Sequence, residues 1–231
     1  FIPVGALLVF LALRAVANRI KILQGLTTSQ AYLACLMGYA THGLLDSCTS
    51  YGTQLFWPFS DARVAWDTMS IVDPLFTIPL LVFVIAAART QRQWLSWLAC
   101  GWMLSFFALG WLQHERAMQA AAQVASIRGH EPLRLSVKPS FANLLVWKAI
   151  YEHEDSYYVD AVRVGAQMTW VPGARVPKLD LARHFPGLEP DSQQALDVER
   201  FRWFSDDYLS PMENSPRIVD MRYSLVPNEV D

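Results

Sequence analysis

Four apolar runs dominate the first half of the chain, and short alternating stretches take over after Gly129. Phe1 to Ala17 is apolar except for Arg14. Gln30 to Leu45, Ile71 to Ala88 and Trp94 to Leu112 follow. A helix crossing a bilayer needs about 20 apolar residues. Each run is close to that length, and four in succession predict a membrane bundle rather than buried soluble helices. Polar turns separate the runs: Asn18 to Ser29, carrying Arg19 and Lys21, and the short stretch from Arg89 to Arg92. Pro79 predicts a kink in the third run, tolerated in a membrane helix when neighbours satisfy the freed carbonyl. The fourth run continues into Gln113 to Ile127, rich in Ala and Gln and amphipathic, which reads as the same helix leaving the membrane.

Beyond Gly129 the period changes. Leu133 to Ser140 (LRLSVKPS) alternates apolar and polar residues, as a half-buried strand does. Ser140 to Ile150 suits a short helix or a strand. Tyr157 to Val164 and Met168 to Pro172 read as strands, and Arg217 to Val226 as another. Leu196, Val198, Phe201 and Phe204 have helical spacing, with Asp191 or Ser192 as N-cap. The expected fold is a membrane all-α helical bundle of about four transmembrane helices over residues 1–128, then a small α+β extramembrane domain over residues 129–231. About 100 residues suffice for such a domain.

Composition sharpens this picture. Of 231 residues, 53% are hydrophobic and only 17% charged, below the ~25% usual for soluble domains. The formal net charge of −2 offers no basic footprint for nucleic acid. Membrane lipid is the one partner the runs imply. Cys35, Cys48 and Cys100 have no CxxC spacing and suit small apolar fillers. Lys and Arg concentrate on cytoplasmic loops. Arg14, Arg19 and Lys21 follow run one, and Arg89 and Arg92 follow run three, whereas the loop between runs two and three has only Arg63. That bias expects a multi-pass inner-membrane protein with both basic turns cytoplasmic and the C-terminal domain periplasmic. The chain begins at Phe1, inside an apolar run and without Met, so it is expected to be truncated at its N-terminus.

The chemistry gathers where apolar runs end. His42 and Asp46 lie one helical turn apart and share a helix face. Imidazole and carboxylate are two of the ligand types zinc takes. Asp73 opens run three, and His114 and Glu115 close run four. The predicted orientation puts all five on the outer side, where ionisable groups in a membrane protein are candidates for function. Asp46 can equally orient His42. Asp73 precedes Pro74 and also suits a helix cap. His114 and Glu115 diverge by about 100° on a helix, so at most one faces a shared site. Ser50 and Tyr51 are candidates for substrate oxygens, or turn residues leading to Gly52. Asp61 with Arg63 suits a surface pair, and Asp67 a turn cap. The connection is rich in aromatics (Tyr51, Phe56, Trp57, Phe59 and Trp66) that favour a membrane–water boundary. His130, His153 and His184 have no ligand spacing and read as surface histidines. No GxSxG elbow, Walker loop, HExxH or GxGxxG is present.

The stretch from Thr41 to Phe76, THGLLDSCTSYGTQLFWPFSDARVAWDTMSIVDPLF, resembles the core motif of the YdjM-type family of bacterial inner-membrane proteins, described as membrane-bound, metal-dependent hydrolases. The similarity continues through HERAMQAAAQVASIRGHEPLRL and NLLVWKAIYEHEDSYYV. The resemblance implies a divalent metal, zinc being the expectation, with His42 and Asp46 among its ligands. It also implies further ligands upstream of residue 1, on an apolar segment with a Thr-His pair and in Pro-Asp-x-Asp and His-Arg-x-x-Thr-His stretches. The expected activity is hydrolysis of an ester or phosphoester at the outer face of the inner membrane, through a metal-bound water. The alternative is a non-enzymatic membrane scaffold or stress-response protein with a periplasmic partner-binding tail. Transport fits less well, because the polar groups sit at helix ends rather than near the midplane.

Overall fold

Capping chemistry sets the helix boundaries in the first half. The computed structural model describes residues 2–16, 26–212 and 215–230. Helix α1 (Ile2–Val16) is followed by α2 (Thr28–Ser47), α3 (Pro74–Thr90) and α4 (Gln93–Ile127). A capping box starts α2: Thr27 Oγ1 accepts from Gln30 N at 3.3 Å, and Gln30 Oε1 accepts from Thr27 N at 3.0 Å. Asp73 caps α3, with Pro74 at its first position and Gln91 in the left-handed region at its end. Pro79 lies inside α3 without dividing it. The basic residues Arg19 and Lys21 lie outside the described residues.

These boundaries correct the expectation of a bundle of about four transmembrane helices. Among the described residues one helix, α4, is long and apolar enough to cross a membrane. Helices α1 and α3 are apolar but hold 15 and 17 residues. Ile71 and Val72 extend the hydrophobicity of run three but precede the Asp73 cap, so α3 is shorter than a full span. Helix α2 has 20 residues, but Thr28, Ser29, Gln30, Thr41, His42, Asp46 and Ser47 dilute its apolar character.

The chain forms two units, residues 1–108 and 109–231, dividing within α4. In the first, α1 and α2 meet through Phe10 edge-on to Tyr32. Phe76 of α3 packs on Phe106 and Phe107 of α4 and accepts a bond from Trp102 Nε1 at 3.1 Å.

In the second unit, strands β1 (Arg134–Pro139), β2 (Val146–His153), β3 (Ser156–Val164) and β4 (Met168–Val171) pair in that order, all antiparallel. The short β5 (Arg175–Pro177) pairs with the first residues of β3. Helices α5 (Leu181–His184) and α6 (Gln193–Phe204, capped by Ser192) follow, then the two-stranded pair β6 (Leu209–Pro211) and β7 (Ile218–Asp220). The amphipathic half of α4 behaves as its sequence predicts. Ala117, Ala120, Ala121, Val124 and Ala125 repeat at helical spacing and are buried, in one core with Trp147, Ala149, Val162 and Val164. Small residues let the helix lie close to the sheet. The opposite face carries Ile150, Tyr157 and Val159, packed with Tyr208 and Met221. Two expectations are narrowed. Ser140 to Ile150 is a turn followed by β2, and the strand expected over Arg217 to Val226 covers only Ile218 to Asp220.

Candidate functional site

The C-terminal end of α2 is closed by the chain that leaves it. A helix end leaves carbonyls without partners. Here Trp66 N donates to Ser47 O at 2.7 Å, and Thr68 N and Met69 N donate to Cys48 O at 2.9 and 3.1 Å. Thr53 and Val64 form an antiparallel bridge between the two arms of the loop. Arg63 reaches across, donating through Nη2 to Tyr51 O and to Gly52 O. Gly52 sits at φ +79°, and a Cβ there would meet Arg63 at 3.3 Å, so the tight approach requires glycine. The loop between α2 and α3 is thus a folded element pinned to the last turn of α2.

His42 and Asp46 lie on that last part of α2. His42 Nε2 stands 3.4 Å from Asp46 Oδ2, with the side chains 72% and 47% exposed. Such an exposed i,i+4 pair contributes little to stability. Asp73, by contrast, is buried. Its Oδ1 accepts from Leu75 N at 2.9 Å and Phe76 N at 3.3 Å, which is the capping role. Among the described residues its Oδ2 is buried with no hydrogen-bond partner. An unpaired buried acceptor is costly, and a carboxylate oxygen more so. Asp73 and Asp46 line one pocket of ≈ 450 Å³, together with Thr49, Tyr51, Thr53 and Thr77. Two acidic residues and four hydroxyl-bearing ones therefore border one pocket, beside Leu45, Met69 and Phe76.

The remaining candidates are distributed as follows. His42 lines the shallow groove between α1 and α2 with Val9, Leu13 and Tyr39, and joins the pocket only through Asp46. Tyr51 lines the pocket, and Ser50 is buried in the turn before it. Within the second unit, His114 sets its ring edge-on to Trp147 at 5.9 Å, and Glu115 is half exposed. Thr53 and Thr77 were not singled out in the sequence. Thr77 was within reach of the i,i+4 rule applied from Asp73, whereas Thr53 needed the loop geometry.

A second polar cluster went unread. At the end of α4, Arg128 makes a bidentate pair with Asp160, 2.6 and 2.8 Å, and also donates to Tyr151 OH at 2.9 Å. His130 Nδ1 lies 2.9 Å from Tyr151 OH, and its ring stacks on His153 at 4.2 Å. Tyr151 and Tyr158 stack in turn, 4.9 Å apart. The bond to Asp160 holds the Arg128 guanidinium above its ordinary range. Burial, then the neighbouring His153 and Arg128, push the His130 imidazole down. Burial pushes the Tyr151 hydroxyl up. His184 differs, accepting from Asp180 N at 3.0 Å within α5.

An imidazole and carboxylates are suitable donors for zinc, but a catalytic zinc takes three protein ligands. Among the described residues no group of three His, Cys, Asp or Glu side chains is placed to hold a metal ion. These residues alone do not fit a metal site.

A profile of the YdjM inner membrane protein family matches residues 1–117. The chain belongs to this family. The YdjM match takes in α1 to α3 and α4 as far as residue 117, so it contains His42, Asp46, Ser50, Tyr51, Asp73, His114 and Glu115. Membership of the YdjM family makes it an inner-membrane protein. No curated protein and no solved structure matches the chain.

Proposed function

We propose that this inner-membrane protein is a membrane-bound hydrolase that takes an ester or phosphoester into the pocket between the end of α2 and the start of α3. The observation that carries the reading is Asp73 Oδ2, a buried carboxylate oxygen without a partner, on a residue that lines the same pocket as Asp46. A group that costs stability unless something binds it is a candidate for function. In this reading Asp46, which lines the pocket, takes a proton from a water or a substrate hydroxyl, and His42 Nε2 beside its Oδ2 positions it. Asp73 borders the pocket beside Asp46, and Thr49, Tyr51, Thr53 and Thr77 orient the polar end of the substrate. The divalent metal implied by the resemblance carries no step in this reading, because His42 and Asp46 alone do not make a metal site among the described residues. Helix α4 is the element that crosses the bilayer. Arg89 and Arg92 precede its apolar half, which favours a cytoplasmic start and a periplasmic second unit.

The test is metal content and hydrolysis of ester and phosphoester probes by the detergent-purified full chain, beside a His42→Ala/Asp46→Ala double variant. Hydrolysis by the wild type, lost in a folded double variant, supports the site; stoichiometric metal lost with it adds the cofactor. The second reading is a non-enzymatic scaffold with a partner-binding tail, in which the two donors His42 and Asp46, short of three among the described residues, serve helix packing. Neither metal nor hydrolysis in the wild type, with a double variant that is merely less stable, would decide for it.

A further inference from the structure

Helix α4 passes from Leu109, Trp111 and Leu112 directly into Gln113, His114, Glu115 and Arg116. Gln113 fixes the level of that change against the sheet. It is buried, and its amide donates to Leu144 O at 2.9 Å and to Val164 O at 3.0 Å. Arg116 adds bonds to Gln113 Oε1, 2.7 Å, and to Gly165 O. The opposite end of the sheet meets the end of α4, where Arg128 holds Asp160 and His130 stacks on His153. At 1.5 Å per residue the two levels are about 21 Å apart along the helix. The β1–β2 loop and the β3–β4 turn therefore lie level with the apolar-to-polar change, and the β2–β3 turn lies far from it.

The near end has the chemistry of a lipid contact. Phe141, at the tip of the β1–β2 loop, is 69% exposed, and Leu145, Trp111 and Leu112 are exposed as well. The loop is held in shape. Asn143 Oδ1 accepts from Leu145 N at 2.9 Å and Val146 N at 2.7 Å, and Ser140 N donates to Val146 O at 3.0 Å. Residues 139–146 and 164–168 contain no Asp or Glu, and Arg116 and Arg163 are exposed at this end. The amphipathic ring of Trp111 favours the bilayer boundary, and exposed Phe and Leu side chains bury into its acyl edge.

We propose that Phe141 and Leu145 dock into the interfacial layer of the leaflet from which α4 emerges, giving the second unit a lipid contact of its own. The proposal rests on α4 crossing the bilayer. It is continuous with that interface, since Trp111 and Leu112 end the apolar stretch at the level of the loop.

The test places the photocrosslinker p-benzoylphenylalanine singly by Leu104→, Phe141→ and Leu133→ substitution in the full chain. The protein is held in nanodiscs of phosphatidylethanolamine and phosphatidylglycerol. All three positions are exposed, so none disturbs a core. Leu133 is the control, because it bonds Glu152 at the far end of the sheet. Lipid adducts at 104 and 141, lost at 133, are expected. Adducts at 104 but not 141, equal adducts at 141 and 133, or a protein adduct at 141 would overturn the docking. Adducts at neither 104 nor 141 would remove the span itself, and the docking with it.

Discussion

Asp73 separates structure from function by which oxygen is removed. Asp73→Ala deletes both. Leu75 N and Phe76 N then lose their acceptor at a buried helix start. Cap removal of this kind costs about 1–2 kcal/mol, and the burial of both donors argues for the upper part of that range. For a unit of about 100 residues 1 kcal/mol moves the melting temperature by about 4–8 °C, so a fall of roughly 8–16 °C is expected for the unit that holds Asp73. Asp73→Asn keeps an amide oxygen in the capping position, and Asn caps helices as well as Asp. It keeps both cap acceptor bonds and exchanges one buried unpartnered atom for another, so its melting temperature should stay above that of Asp73→Ala. The assay is thermal unfolding of the detergent-solubilised chain, followed by size-exclusion recovery after heating, beside probe hydrolysis. The expected pattern is an unstable alanine variant and a stable, inactive asparagine variant. An asparagine variant as unstable as alanine would mean that Oδ2 already has an essential partner inside the protein, and the reasoning from an orphaned acceptor would be refuted.

Three further outcomes follow from the same geometry. Asp160→Ala breaks a buried bidentate pair and leaves Gly173 N without its acceptor; because Arg128 is partly exposed and can turn to water, a loss of about 3 kcal/mol is expected, read as the urea midpoint of the second unit by pulse proteolysis. The His130 imidazole is pushed below 6.5 by burial, His153, Arg128 and Arg175, against an opposing pull from Glu154. Its neutral form is therefore the one the fold favours, so its contribution is present above 6.5 and is lost as pH falls through the lowered folded value; the same midpoint should drop on acidification, and less steeply in His130→Gln. Gly52→Ala forces a side chain into the left-handed region beside Arg63, costing about 1–2 kcal/mol, and should lower hydrolysis and melting temperature together.

Much of the local structure was legible because it is written in adjacent residues. Ser192 as the cap of α6, the Asp73-Pro74 start of α3 and the small-residue stripe from Ala117 to Ala125 are each set by positions within two turns. The shared face of His42 and Asp46 was equally plain. The span count failed because apolar runs do not end where helices end: Ile71 and Val72 continue the hydrophobicity of α3 but stand before its cap. The pocket was half legible. Asp46 and Asp73 are brought together by a loop whose backbone returns to the carbonyls of Ser47 and Cys48, and no periodicity encodes that return. The cluster at the end of α4 depends on register. Alternation predicts that Tyr158 and Asp160 share a face, but Tyr151 opposite Tyr158 and Ala149 opposite Asp160 follow only from the pairing of β2 with β3.

We propose the pocket holding Asp46 and Asp73 as the place where this YdjM family member does its chemistry. The most direct measurement is hydrolysis of a panel of fluorogenic esters and phosphoesters by the full chain in lipid nanodiscs, wild type against Asp73→Asn at matched folding. The account predicts turnover of at least one probe by the wild type and its loss in the variant. Equal turnover by both, or none by either, would contradict it.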